Sequence, residues 1–359
     1  MDMVIGERIK QGRRMAGLSQ RALAEKVGVS AQAISKYERG LDHPGSKVLI
    51  QLSKALNLSV EFFLRPRSLT RIEPRFRKRK ALSAKNEDII LARVLDWLER
   101  YVEIDEILSV GESGLRFEYP QGFPRIVSNL DDIEEAAEDL RRSWKLGMGP
   151  IVNLISLLEG QGIKVGVIDS DTKFDACTFE GEDDHTVTAI VTRSHTSGDR
   201  QRWSLAHELG HLMLIPVGLD DEKAANRFAG AFLVPQTAAR FELRGRREAL
   251  SFYELHILKH KYGLSMQAWI HRALDLGIIS ESKARSLFQY FSRKGWRKEE
   301  PGDEIPEEVP RRFEMLVISA MTDGIISETR ASELLGKPVK AFLIEEAKTH
   351  GVWLAEVCH

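Results

Sequence analysis

The stretch Leu205–Leu214, LAHELGHLML, carries His207 and His211 four residues apart, with Glu208 directly after the first histidine. Residues at this spacing lie above one another on a helix, so both imidazole rings can reach one zinc ion at about 2.0–2.1 Å. Glu208 would then act as general base towards an attacking water molecule. The pattern therefore predicts a zinc-hydrolase helix.

An amphipathic core helix is the alternative interpretation, because the same stretch contains an apolar face formed by Leu205, Leu209, Leu212 and Leu214. The combination of two histidines and a glutamate at this spacing is uncommon by chance in a chain of 359 residues. A catalytic zinc also needs a third protein ligand and an open position. The sequence that follows the motif therefore bears on the choice.

A second helix is predicted over DEKAANRFAGAFLVP, directly downstream. Glu222 lies in its first turn and is the predicted third ligand, whereas Asp220 and Asp221 are rivals with shorter side chains in the loop. Asn226, one turn beyond Glu222, is placed to hydrogen-bond a ligand histidine. Candidate donors to a transition-state oxyanion, each of which also fits a structural or surface role, are His195, Tyr253, His256 and His260.

Five short helices with glycine punctuation are predicted over residues 1–64. Ser19 caps a helix that ends at Gly28, and Ser30 caps the next helix, which ends at Gly40. A helix, a tight turn and a second capped helix suit a helix-turn-helix, whose second helix reads DNA. Its candidate contacts are Ser30, Gln32, Ser35 and Lys36. An ordinary helical bundle is the alternative.

The rest of the chain mixes helices with a few strands. Helices are predicted over 87–108, 130–147 and 150–162, and the runs IKVGVID and HTVTAIVTR are β-like around a turn-rich segment, DSDTKFDACTFEGEDD. The segment Arg65–Lys80 has eight basic residues against one acid, which indicates a solvated linker that can also contact DNA phosphates. An acidic break, RKEEPGDEIPEEVP, precedes a final helical piece. ALDLGIISESKARSLF has a faint echo in AMTDGIISETRASELL.

Composition limits the class of protein. The formal net charge of -1 predicts no strong nucleic-acid affinity for the whole chain, in contrast to the local basic segment. No apolar run is as long as a membrane span, and the N-terminus lacks a signal-peptide core, so no membrane partner is expected. Cys177 and Cys358 are too few for a disulfide framework or a cysteine metal site, and a reducing cytoplasmic location is expected.

The segment LSQRALAEKVGVSAQAISKYERG and its continuation to FFL resemble the phage-repressor-type (XRE, Cro/CI-like) DNA-binding domain over residues 4–64. Gln20 and Gln32 stand where that family opens its second and third helices. The resemblance implies that Gln20 meets the DNA backbone and supports the reading helix, while Gln32, Ser35 and Lys36 face DNA. It also implies a double-stranded operator as partner and a homodimer.

The segments RWSLAHELGHLML and EKAANRFAGAFLVP resemble the ImmA/IrrE family of zinc metallopeptidases, and the similarity covers roughly 130–275. The resemblance implies Zn2+ held by His207, His211 and Glu222, with Glu208 as catalytic base. GIKVGVID, FDACTF and AIVTR resemble the small sheet of that family. DAC stands where many relatives have an aspartate-glycine pair, a departure that concerns the substrate edge and not the zinc.

Together these features predict a mainly α protein with a small β-sheet (α+β). Its predicted parts are a helix-turn-helix domain over 1–64, a basic linker over 65–86, a zincin-like metallopeptidase domain over 87–296, and an acidic break with a helical C-terminal tail over 297–359.

The leading functional hypothesis is a transcriptional regulator whose zinc endopeptidase cleaves an XRE-type repressor in trans, or the chain itself. In the alternative, the zinc domain is a non-proteolytic sensing or dimerisation module that tunes DNA binding. A third hypothesis is an antitoxin whose C-terminal region binds a toxin, within a toxin–antitoxin unit.

Overall fold

The computed structural model describes residues 2–65, 72–74, 83–109, 115–169, 174–181 and 187–350. Within these ranges the chain is mainly helical, with one four-stranded and one two-stranded sheet, which confirms the predicted fold class. No helix in the described ranges is both long and apolar enough to span a bilayer. Most of the basic segment Arg65–Lys80, and Cys358, lie outside the described residues.

The N-terminal unit consists of the five predicted helices: α1 Asp2–Met15, α2 Gln20–Val27, α3 Ala31–Glu38, α4 Ser46–Leu56 and α5 Val60–Leu64. The hydroxyl oxygens of Ser19 and Ser30 accept from the backbone N–H of Ala22 and Ala33, both at 3.1 Å, as expected for N-caps. Gly28 ends α2 with φ 76°, the left-handed conformation that glycine adopts without strain. The buried side chains include Ile9, Leu23, Ile34, Leu52 and Phe63.

The remaining elements follow in chain order. The strands are β1 Ile72–Pro74, β2 Arg125–Val127, β3 Lys164–Ile168, β4 Ala176–Gly181, β5 Thr188–Arg193 and β6 Leu214–Pro216. The helices are α6 Ala84–Leu108, α7 Leu130–Ser143, α8 Leu154–Gly160, α9 Gly198–Met213, α10 Asp221–Leu233, α11 Gln236–Leu243, α12 Phe252–Tyr262, α13 Met266–Asp275, α14 Glu281–Lys294, α15 Arg312–Thr322, α16 Glu328–Leu335 and α17 Val339–His350.

Helix α7 ends earlier than predicted, and helix α8 begins later than predicted. The helix predicted over 130–147 ends at Ser143, because Lys145 and Gly147 have positive φ of 55° and 63° and the chain turns away. The helix predicted over 150–162 begins only at Leu154, where the Asn153 side chain accepts from the N–H of Ser156 at 2.7 Å.

The main sheet has the strand order β1-β4-β5-β3, in which β3 and β5 are parallel and β4 is antiparallel to both of its neighbours. β4 lies in the segment interpreted from its residues as turn-rich, and that interpretation was wrong for Ala176–Gly181, where the resemblance of FDACTF to a small sheet is confirmed. Its alternating side chains explain the strand: Cys177 and Phe179 are buried in the core towards α6, while Thr178 is directed towards α9.

Helix α6 contacts the main sheet, the N-terminal unit and the C-terminal helices. Ile90, Val94, Leu98 and Val102 recur every fourth residue and form one buried core with the sheet. A second face packs Tyr101 and the neighbouring turn against α15 and α16. A third face receives α1 and Arg65 of the N-terminal unit. The 25-residue helix is therefore covered on several sides, unlike a helix at a domain surface.

The acidic segment 297–310 is bound to the domain that it follows. The carboxylate of Glu300 accepts from the N–H groups of Met266 and Gln267 at 2.9 Å, at the N-terminus of α13. Glu308 forms an ion pair with buried Arg202 and accepts from the N–H of Ile155. The segment therefore crosses the outside of α9, and its acids serve helix termini and buried cations.

The sequence echo corresponds to two equivalent turns. Ile278 and Ile279 both donate to the carbonyl of Ala273, and Ile325 and Ile326 both donate to that of Ala320. The turns join α13 to α14 and α15 to α16, and the second helix of each pair begins after a serine cap.

Candidate metal centre and nucleic-acid interface

The two histidines of the motif lie on α9, and their ring nitrogens converge. The Nε2 atoms of His207 and His211 are 3.1 Å apart, and the rings pack edge to face with centroids 4.7 Å apart. The leucines of the same stretch are buried in the main core. The apolar face and the histidine pair thus coexist on one helix, so the core interpretation and the metal interpretation do not exclude each other.

The close approach of α10 brings the third candidate ligand to the histidines. A Cβ added at Gly210 would lie only 3.1 Å from the Cα of Ala225, so glycine permits the two helices to pack this tightly. The carboxylate oxygens of Glu222 consequently lie 3.5 Å from Nε2 of His207 and 3.5 Å from Nε2 of His211. The side chain of Glu222 is 46% exposed, so the site opens to solvent on this side.

The rival acids occupy other positions. Asp220 is the N-cap of α10 and accepts from the N–H of Lys223 at 2.9 Å, and Asp221 begins the helix. Among the described residues, the group whose ligand atoms could hold one metal ion comprises His207, His211 and Glu222, with those atoms within 4.8 Å of one another. The structure brings the predicted three together and leaves their role as metal ligands a prediction.

Asn226 fixes the chemical form of one histidine. Its Oδ1 lies 3.0 Å from Nδ1 of His207. Because an amide oxygen only accepts, Nδ1 carries a proton, and in the neutral form of the ring Nε2 presents a lone pair to the site. Ligands about 2.0–2.1 Å from a tetrahedral zinc lie about 3.3 Å apart. The observed separations of 3.1 and 3.5 Å and the nitrogen-rich donor set therefore fit zinc.

Glu208 lies at the junction of α9 with the sheet. It is buried at 5% exposure, and the Thr178 hydroxyl on β4 donates to its Oε2 at 3.1 Å. Sequence reasoning missed Thr178, because the contact joins residues 30 positions apart. The available signal was a single hydroxyl residue between the apolar residues Cys177 and Phe179.

A cavity of about 700 Å³ adjoins the site. Asn226, which contacts His207, forms part of its wall together with Trp203 and Lys223. Glu299, Glu300 and Glu304 of the acidic segment line another part of the wall. The cavity is therefore bounded both by the helices of the candidate metal centre and by the segment that crosses them.

The remaining sequence candidates around the centre lie apart on the fold. His195 is exposed in the loop before α9. Tyr253, His256 and His260 belong to α12, where Tyr253 is 77% exposed and the two histidine rings pack against each other. The oxyanion assignment stays a prediction for all four residues.

The predicted reading helix is α3. Gln32 and Lys36 are exposed on it and Ser35 is half-buried, while the Ser30 hydroxyl is used as the N-cap. Gln20 donates from Nε2 to Glu38 at 2.8 Å, and Arg13 donates to the same carboxylate. Glu38 thus ties α3 to the start of α2 and to α1, which orients the exposed face of α3. Their contact with DNA stays a prediction.

Two family models match the chain. Residues 9–63 match a helix-turn-helix model, and residues 165–274 match the model of an IrrE N-terminal-like domain. The chain belongs to the XRE-type helix-turn-helix family and carries an IrrE/ImmA-like domain. The first match contains α2 and α3, and the second contains α9 and α10 with the converging histidines.

Curated relatives of this XRE-type chain are similar over short stretches. An uncharacterized HTH-type transcriptional regulator of Sinorhizobium medicae (strain WSM419) is 41% identical over 63 residues, which is 18% of this chain and 45% of that protein. An uncharacterized transcriptional regulator in the ATPase CF(0) region of Rhodospirillum rubrum is 37% identical over 75 residues, 21% of this chain and 68% of that protein.

The HTH-type transcriptional regulator ImmR of Bacillus subtilis (strain 168) is 36% identical over 62 residues, covering 17% of this chain and 49% of ImmR. The chain thus spans about half the length of ImmR and 45% of the Sinorhizobium relative.

Proposed function

We propose that this chain is a DNA-binding transcriptional regulator carrying a zinc-dependent endopeptidase that cleaves an XRE-type repressor, in trans or within the chain itself. The observation that carries the proposal is the convergence of His207, His211 and Glu222 beside Glu208. The same chain presents Gln32 on an exposed helix of a helix-turn-helix unit.

Each residue has a role that follows from its position. His207, His211 and Glu222 would hold the ion, and Asn226 keeps the His207 ring in the tautomer that offers Nε2. The chemistry supplied by zinc, when bound, is Lewis-acid polarisation of the scissile carbonyl. The Glu208 carboxylate would accept the proton of the attacking water and return it to the leaving amine.

The hydrogen bond from Thr178 positions Glu208 for this task. The hydroxyl donates to Oε2, so it restricts the orientation of the carboxylate. Glu208 is buried where α9 meets β4, which limits the contact of its carboxylate with bulk water. Thr178 is therefore a positioning residue in this proposal.

The enzyme proposal is tested by zinc content and by proteolysis of co-expressed XRE-type repressors. Wild type is expected to bind one equivalent of zinc and to cleave a repressor. Glu208→Gln is expected to bind zinc and lose cleavage by about 100-fold or more. Glu222→Gln is expected to lose zinc, whereas Asp221→Asn, its neighbour on α10, serves as the matched control. Equal cleavage by wild type and Glu208→Gln, or zinc loss in Asp221→Asn alone, would refute the assignment.

The DNA proposal is tested separately on the DNA upstream of the gene. Gln32→Ala is expected to reduce affinity by about 1–3 kcal/mol and to relax sequence preference, because Gln can read a base edge. Lys36→Ala is expected to weaken all sequences alike and to reduce the salt dependence. Unchanged DNA binding by both variants would refute the assignment of α3 as the reading helix.

A non-proteolytic regulator is the second candidate, and the position of α6 favours it. One face of α6 packs on the sheet beside α9, and another receives the helix-turn-helix unit. A metal ion at α9 would then influence the unit that holds α3. Under this candidate, operator affinity changes with zinc in Glu208→Gln as much as in wild type, and no repressor is cut.

A further inference from the structure

The outermost strand of the main sheet comes from the segment between the helix-turn-helix unit and α6. β1 pairs antiparallel with β4, with Ile72 opposite Gly181, Glu73 opposite Glu180 and Pro74 opposite Phe179. The strand order places β1 at the edge of the sheet. If β1 left, the outer backbone groups of β4 would form the edge.

This edge passes directly by the candidate catalytic base. The last pair of the ladder is Pro74 opposite Phe179, and Thr178 directly precedes Phe179 on β4. The Thr178 hydroxyl donates to Glu208. Backbone N–H and C=O groups on a sheet edge bind an extended peptide as an added strand, and they require little of its sequence. An extended peptide paired antiparallel with β4 would therefore lie beside Glu208.

The described residues that precede and follow the segment containing β1 are anchored on α6. Arg65, seven residues before Ile72, donates to Asp96 at 2.7 Å and contacts Glu99 at 3.3 Å, both on α6. On the other side, Ser83 caps the start of α6. Since both anchors lie on the helix that backs the sheet, the segment meets β4 at the high effective concentration of a tethered strand.

We propose that Ile72–Pro74 is an internal occupant of the peptide-binding edge of β4, and that an extended polypeptide must displace it to reach Glu208. The proposal rests on the proposed endopeptidase function and adds its mode of substrate binding and its regulation. A binding-competent state populated at about 1–10% weakens apparent peptide affinity by about 10- to 100-fold. The strand is a competitor, and its own peptide bonds stay intact.

The test uses the full chain without metal, in EDTA. Ile72→Pro/Glu73→Pro removes two backbone N–H groups, and because neighbouring residues of a strand alternate in direction, one of the two must be the donor towards β4. Ser68→Pro/Leu69→Pro is the matched control, with the same number of prolines in the same segment but outside β1. The probe is a fluorescent peptide of residues 70–76, TRIEPRF, with a scrambled peptide as its control.

The expected result is about 10- to 100-fold tighter binding of TRIEPRF to Ile72→Pro/Glu73→Pro than to wild type or the control variant. Hydrogen exchange of the β4 amides should be faster in this variant and should slow again when the peptide is added. Equal peptide affinity in all three proteins, or unchanged exchange of β4, would overturn the proposal. Cleavage of the wild-type chain between residues 65 and 86 would do so too, since the strand would then be a substrate.

The peptide affinity and the hydrogen exchange of β4 do not depend on proteolytic activity. If the chain neither binds zinc nor cuts a repressor, the endopeptidase proposal fails while the peptide affinity still reports on β1. If the chain cuts a repressor and the proline variant cuts it no faster, the endopeptidase proposal stands, and the proposal that β1 blocks the edge of β4 fails.

Discussion

The junction between the helix-turn-helix unit and α6 contains a buried ion pair, and its removal is the perturbation with the largest expected effect. The side chains of Arg8 and Glu99 are 0% and 1% exposed and form an ion pair. Arg8 also donates to Gln11 at 2.8 Å and to the carbonyl of Arg65 at 3.1 Å. Glu99→Gln keeps the shape of the side chain but removes the carboxylate charge that pairs with the buried Arg8 guanidinium.

Loss of one partner of a buried pair costs about 3–5 kcal/mol. We expect Glu99→Gln to lower the free energy of unfolding by about 3 kcal/mol. The value lies at the lower end because Arg65, which also contacts Glu99 at 3.3 Å, keeps its ion pair with Asp96 in the variant. Arg8→Met should cost less than Glu99→Gln, since Arg65 remains beside the Glu99 carboxylate. Arg8→Met/Glu99→Met should recover part of the loss, because apolar pairs replace buried ion pairs at little cost.

The assay is urea unfolding together with hydrogen exchange of the α1 amides, which reports whether the unit stays docked. The matched control is Asp88→Asn, which removes an exposed pair with Arg14 between the same two helices, 4.0 Å apart, and should change stability by less than about 0.5 kcal/mol. The reasoning would be refuted by a loss below about 1 kcal/mol in Glu99→Gln, or by an Arg8→Met/Glu99→Met variant as unstable as the sum of the Arg8→Met and Glu99→Met singles.

Three further predictions concern Glu159 on α8 and two glycines on α9. Burial raises the pKa of Glu159 from 4.5 to about 7, so the folded state holds a proton that the unfolded chain releases, and stability should fall by up to about 3 kcal/mol as pH rises from 4.5 to 7; urea titrations of Glu159→Gln should lack this fall. A Cβ at Gly198 would overlap the carbonyl oxygen of Pro306, so Gly198→Ala should cost about 2 kcal/mol in thermal unfolding and expose residues 297–310 to proteases. Gly210→Ala would press on Ala225 and move α10, and calorimetry should find zinc affinity at least about tenfold weaker with α9 still helical.

The features that could be predicted from sequence depend on near neighbours. Ser19 and Ser30 each bond to a backbone group three residues ahead, so the helix starts are determined by residues that stand together in the chain. The convergence of His207 and His211 follows from the pitch of one helix. Glu222 could be anticipated because its helix follows directly, although the glycine at 210 that permits the close approach was not recognised.

The features that escaped prediction join distant residues. The residues of β4 did not by themselves indicate a strand, because its flanks are polar and its outer partner, β1, lies far upstream in the chain. Only the resemblance of FDACTF to the small sheet of the ImmA/IrrE family predicted it. The acidic segment 297–310 separates α14 from α15, as predicted, but its packing was not anticipated, since nothing local indicates that Glu308 meets Arg202 across 106 positions. Polar composition predicts exposure on average and fails where a carboxylate has a buried cation or a helix terminus to serve.

The docking of the helix-turn-helix unit on α6 and the pairing of β1 with β4 can be perturbed separately, because a length of chain lies between them. Six residues separate Arg65, which is anchored on α6, from Ile72 of β1, and the seven steps between the two Cα atoms span at most about 25 Å. Departure of β1 therefore relaxes this tether and does not pull Arg65 from Asp96 and Glu99. A peptide that displaces β1 should leave the helix-turn-helix unit docked, whereas Glu99→Gln should release the unit and loosen one end of the tether that presents β1. Operator binding by the proline variant should thus match wild type, while Glu99→Gln should alter both operator binding and peptide affinity. If the proline variant also changed operator affinity, the anchor at Arg65 would not separate the two ends, and β1 would have to act on α6 through the sheet.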